Sequence, residues 1–157
     1  MNKTFSHLRV SSEFSITQGL LTIDQIVDQA KKYSIPSVAL TDNLNMFGLV
    51  KFFNKCETAG IKPISGVSLR VIFDGDEMPH ELLCLAKTNK GHISLMKIIS
   101  QAHNNYNFSS PIITFNELCE IKEDLIVISG GKSSYLFELM TLGRVGEVED
   151  RVDKFLN

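Results

Sequence analysis

From Thr22 onward apolar residues recur with helical spacing: Ile23, Ile26, Val27, Ala30 and Tyr33 share one face, and Thr22 or Asp24 suits the helix start. Ile35-Pro36 ends that run, because proline has no N–H to give and pushes the residue before it out of the helical region. Ser37 to Thr41 then reads as a short buried strand. A second helix is predicted from about Met46, burying Met46, Leu49, Val50, Phe53 and Cys56 and stopping at Gly60. Ile64 to Phe73 is β-rich, and the Asp74-Gly75-Asp76-Glu77 cluster turns the chain into a Leu82 to Ala86 strand. Ile93, Met96, Ile99 and Ala102 give a helix over 91–102, and Leu125 to Ser129 is apolar almost throughout, as parallel strands buried on both faces are. Ser133 or Ser134 can cap the helix that follows, and Glu147 to Leu156 is helix-like. A first strand ending in His7 to Ser11 brings the strand candidates to five. The alternation predicts an α/β fold of mainly parallel strands interleaved with helices. In such folds the chemistry sits in loops at the C-terminal ends of strands, which begin here at Arg9, Asp42, Ser68 and Ser129.

Composition narrows this further. The 157 residues fit one domain, and ten phenylalanines among 43% hydrophobic residues supply a core. Sixteen Lys+Arg against eighteen Asp+Glu leave a net charge of -2, so no global basic charge points to nucleic acid or to an acidic membrane surface. No stretch approaches the roughly 20 apolar residues that span a bilayer, and the first ten residues lack the apolar run of a secretory signal. Cys56, Cys84 and Cys119 are odd in number, far apart and without a C-x-x-C pair, which argues against a disulfide framework or a cysteine zinc site. A reducing cytoplasm is the expected compartment.

Three segments carry candidate chemistry. His7-Leu8-Arg9-Val10-Ser11-Ser12-Glu13-Phe14-Ser15 closes the first strand, where two-residue alternation puts His7, Arg9 and Ser11 on one face. Ala39-Leu40-Thr41-Asp42-Asn43-Leu44-Asn45-Met46-Phe47-Gly48-Leu49-Val50 sets Asp42 at a strand end, although the same residues make good turn and N-cap chemistry. The third segment is Gly60-Ile61-Lys62-Pro63-Ile64-Ser65-Gly66-Val67-Ser68-Leu69. In order and spacing, HLRVSSEFS…QGL, ALTDNLNMFGLVKFF and AGIKPISGVSL resemble the opening of the PHP (polymerase and histidinol phosphatase) domain, in the version at the N-terminus of the bacterial DNA polymerase III alpha subunit. The similarity continues through HELLCLAKTNKGHISLMKIISQA and LIVISGGKSS.

That resemblance implies a distorted (β/α)7 barrel whose strand ends hold a metal cluster in active members. Their first motif supplies H-x-H, and the matching positions here are Arg9 and Ser11; the next ligand, an aspartate before glycine, falls on Gln18. The histidine expected after Thr41-Asp42 is Asn43, the glutamate expected after Gly66-Val67 is Ser68, and a histidine ahead of the L-x-L-A strand falls on Glu81, with His80 one place away. Metal ions need converging imidazole or carboxylate lone pairs, and arginine offers a fixed positive charge with none. A guanidinium in a cation's place can substitute for its charge. Ser11, Asn43 and Ser68 remain as neutral hydrogen-bonding groups, and Glu81 alone can still hold a metal, weakly. Asp42 is expected to cap or brace the loop into the second helix, His7 to be a core histidine satisfied by backbone, and His80, His92 and His103 to be isolated surface positions.

By this resemblance residues 1–157 are the N-terminal part of a single PHP domain, too short in strands to close a seven-stranded barrel. The open sheet edge makes self-association a live expectation. The segment is expected to be metal-free and non-catalytic, with no cofactor of its own and magnesium confined to the polymerase domain of the parent. Its expected partners are the rest of the polymerase alpha subunit and the proofreading exonuclease subunit, with no membrane and no direct nucleic-acid contact. Two rivals stand beside it. One is an active metal-dependent phosphoesterase using Asp42, Glu81 and His7. The other is an ATP pyrophosphatase-like enzyme using Ser129, Gly130, Gly131, Lys132 and Ser133, a strand–glycine loop–helix passage whose backbone N–H groups can cradle phosphate. That passage lacks the first glycine of a Walker A loop.

Overall fold

The computed structural model describes residues 5–105 and 110–156. Helix α1 (Ile23–Lys32) starts at Thr22, whose Oγ1 accepts the Gln25 N–H while Gln25 Oε1 accepts the Thr22 N–H, a reciprocal capping box. It buries Ile23, Ile26, Val27 and Ala30, whereas Tyr33, expected on this face, is exposed past the helix end. Strand β1 (Ser37–Leu40) leads to α2 (Leu49–Ala59), which ends at Gly60 in the left-handed region, φ 71°. The buried face of α2 is Leu49, Phe52 and Cys56; Val50 and Phe53, predicted inside, are exposed, because the choice between adjacent phenylalanines fell one residue off the face that meets β1.

Strand β2 (Lys62–Ile72) turns into β3 (His80–Ala86), and α3 (Asn89–Asn105) follows with Leu95, Ile98, Ile99 and Ala102 buried. Ile93 and Met96, two of the apolar residues whose spacing predicts this helix, lie on its exposed side. A two-residue strand β4 (Ile113–Thr114) runs into α4 (Phe115–Cys119), then come β5 (Leu125–Ser129), α5 (Tyr135–Thr141) and α6 (Val145–Leu156).

The sheet order is β1-β2-β3-β5, with β4 also beside β2. β1 and β4 run parallel to β2, but β2–β3 and β3–β5 are antiparallel, so the expectation of mainly parallel strands is corrected to a mixed sheet. The physical reason lies in the connection: the few residues between Ile72 and His80 suffice for a hairpin, while a parallel return needs a crossover of about a dozen. The predicted first strand is also corrected. His7 makes an isolated parallel bridge to Val38, and the carbonyls of His7 and Val10 accept the Ala39 and Thr41 N–H groups at 2.9 and 2.8 Å. None of the described helices is long and apolar enough to cross a membrane.

One sheet face packs Val67, Leu69, Val71, Leu82 and Cys84 against α3, and α1 and α2 cover β1 through Phe52, Ile26 and Leu40. The opposite face carries a small cluster of Ala39, Leu83 and Leu85 with Ile64 and Ile128 against it. Ser68 and Glu81 belong to that second face, since Ser68 sits opposite Leu83 and Glu81 precedes Leu83 by two residues. This face thus passes from aliphatic to polar towards the end of β2, and the candidate site is built there.

Candidate functional site

Asp42 lies just beyond β1 and is 1% exposed. Its Oδ1 accepts the Ser12 N–H and the Ser15 hydroxyl, both at 2.7 Å, and its Oδ2 accepts the Ser12 hydroxyl at 2.7 Å. An ionised carboxylate only accepts, so these three short bonds use most of its capacity. Ser15 Oγ in turn accepts the Asn43 N–H at 2.9 Å. The brace therefore runs from the end of β1 to the N-terminal segment rather than into α2. Asn43 bridges to Ser68 in β2, whose N–H donates to the Asp42 carbonyl at 3.0 Å and whose carbonyl accepts the Leu44 N–H at 2.9 Å. Leu44 has φ 53°, a left-handed conformation uncommon for a residue with a side chain, and its carbonyl accepts a bond from His103 Nε2 at 2.9 Å.

The second cluster joins the N-terminal segment, β2, β3 and the loop after β5. Arg9 Nη2 donates to Glu81 Oε1 on β3, the Ser68 hydroxyl donates to the same oxygen, and Arg9 Nη1 donates to the Gly130 carbonyl at 3.0 Å. The Arg9 side chain is 47% exposed and that of Glu81 14%, so the ion pair is open to water on one side only. Gly130 is required: a Cβ there would stand 2.2 Å from the Glu81 carbonyl oxygen. The Ser129–Ser133 passage thus faces Arg9 with a carbonyl acceptor. Gly131–Ser133 forms a 3-10 turn, Lys132 is exposed, and Ser134 caps α5 by accepting the Phe137 N–H at 3.2 Å. Ser11 is half-buried and Gln18 is exposed on a turn where its N–H donates to the Ser15 carbonyl at 2.8 Å.

His103 is exposed on α3 as expected, whereas the other three histidines fall elsewhere than expected. His7 is exposed and edge-on to Phe5, because the segment carrying it lies outside β1 rather than inside the sheet. His80, expected at the surface, is buried at the start of β3 between Phe73 and Tyr135, 3.6 Å from Asp76 and 3.8 Å from Glu138. His92 is half-buried and shares a 2.8 Å hydrogen bond with Ser65. All three cysteines are free; burial pushes the Cys56 thiol up to about 11 and that of Cys84 up to about 12.

A family model for the PHP domain matches residues 7–157. The chain belongs to the PHP domain family. Among curated relatives, the DNA polymerase III alpha subunit of Escherichia coli (strain K12) is 38% identical over 151 residues, 94% of this chain and 13% of that protein. The subunit of Vibrio cholerae is 37% identical over 148 residues, 92% of this chain and 13% of its own length. That of Aquifex aeolicus is 30% identical over 169 residues, covering 99% and 15%. This PHP chain therefore spans about an eighth of the length of these relatives. Among solved structures, a protein from Bifidobacterium adolescentis described as a metal-dependent phosphoesterase superposes with a TM-score of 0.51 at 14% identity, over 99% of this chain and 56% of that one. An amidohydrolase from Chromobacterium violaceum with bound sulfate and no metal gives 0.50 at 20% identity, over 63% and 33%. These two are likenesses of fold.

PHP membership implies metal ions at these strand ends, and the side chains present do not fit one. Among the described residues no three His, Cys, Asp or Glu side chains group as a metal site would need. The oxygens of Asp42 are taken by Ser12 and Ser15, and Glu81 faces a guanidinium. Sequence reasoning missed Ser12 and Ser15, and it did not connect Gly130 with Arg9. The signal for the serines was available: a buried strand-end carboxylate needs donors, and the hydroxyl-rich Ser11 to Ser15 segment was the nearest supply.

Proposed function

We propose that the chain is the N-terminal PHP segment of a bacterial DNA polymerase III alpha subunit, part of a distorted (β/α)7 barrel, and that it is a metal-free, non-catalytic structural and docking module. On this reading the parent polypeptide adds deoxynucleotides to a primer with magnesium bound in a later domain, in the cytoplasm. The segment stabilises that polypeptide and offers a docking surface to the separate proofreading exonuclease subunit. The observation that supports the non-catalytic reading is the Arg9 guanidinium, which donates to Glu81 and to the Gly130 carbonyl; by the resemblance, Arg9 and Glu81 stand at two positions that carry metal ligands in active family members. A guanidinium supplies the positive charge but can neither polarise a phosphate ester as a Lewis acid nor generate a hydroxide.

Metal content tests this. The purified protein is dialysed against zinc and manganese, freed of unbound ion, and the bound metal is counted by mass spectrometry. The expected result is no stoichiometric metal in this segment and no phosphatase activity. Two or three ions per segment, with phosphoesterase activity lost in Asp42→Ala, would overturn it and establish an active enzyme.

A further inference from the structure

We draw no further inference here: the strongest candidate, the apolar groove between β5, α4, α5 and α6 lined by Leu82, Phe115, Leu118, Val127, Leu136 and Val152, carries nothing because nothing in the structure shows what covers it.

Discussion

Arg9 is where the account of the site is most exposed to test. Truncation to alanine removes the ion pair with Glu81 and the bond to the Gly130 carbonyl, leaving a largely buried carboxylate with Ser68 as its recorded hydrogen-bond donor. Hydrogen bonds to charged groups contribute about 1.5–3 kcal/mol when well protected, while exposed ion pairs contribute about 0.2–1 kcal/mol. With Arg9 47% exposed and Glu81 14%, solvent screening places the pair between these limits, so a coupling of about 1 kcal/mol is expected. The assay is a double-mutant cycle, with urea unfolding of the protein and its Arg9→Ala, Glu81→Ala and doubly substituted forms.

The cycle is run in dilute buffer and again at about 1 M salt, where the Debye length shrinks to about 3 Å. Coupling is expected to fall at high salt, because one side of the pair faces water. Arg9→Lys keeps the charge but loses the planar fork that reaches Glu81 and Gly130 together, and should recover only part of the stability. A coupling energy below about 0.3 kcal/mol, within the usual additivity error, would refute the claim that the guanidinium stands in for a cation here.

Three further outcomes are expected. Gly130→Ala forces a Cβ onto the Glu81 carbonyl and should destabilise by about 1–3 kcal/mol in urea unfolding, whereas Gly146→Ala, with nothing nearby, should not. The Lys55 and Lys51 ammonium groups hold the Asp24 carboxyl down at about 2, below its ordinary 3.8; the stability this lends is present above about 3.8 and lost as pH falls through about 2, so Asp24→Asn should flatten that part of the pH–stability curve. Titration with an alkylating reagent at pH 8 should modify the half-buried Cys119 first and reach Cys56 and Cys84 only on unfolding, since those thiols are buried and pushed up to about 11 and 12.

How legible the fold was in the sequence differs by element, for physical reasons. α1 was readable because its cap and its apolar face agree: Thr22, Gln25 and the Ile23, Ile26, Val27 and Ala30 set all point to one helix. The face of α2 was misjudged because Phe52 and Phe53 are equally apolar, and only packing against β1 decides which one is buried. Strand direction was misread where it was partly legible, since the Asp74–Glu77 turn between two strands already signalled a hairpin. The direction of β5 was not legible at all; an apolar pentapeptide fits either orientation, and its place beside β3 is set by long-range packing. At the site, Asp42 stood out as a carboxylate at a strand end, but no donors were assigned to it. Residues 7–11 are not a strand, so the alternation that put His7, Arg9 and Ser11 on one face gave no sign that Ser12 and Ser15 make the bonds.

These bonds also explain how the N-terminal segment stays in place with little regular structure of its own. It is fixed at two points: Arg9 reaches β3 and the loop after β5, while Ser12 and Ser15 reach Asp42 beyond β1. In a metal-binding relative, one ion cluster can tie the same strand ends together by coordination. Here the work is divided between a partly exposed ion pair, sensitive to salt, and a buried carboxylate with three short donors, shielded from it. The Phe14–Leu21 loop begins directly after that second anchor and returns to it through the Glu13–Leu21 bond. A loop so held presents its side chains in a fixed arrangement. Asp42→Ala should therefore loosen the Phe14–Leu21 loop as well as the strand end. Hydrogen exchange faster across residues 12–21 than across α3 would show it, and uniform acceleration over both would refute the link.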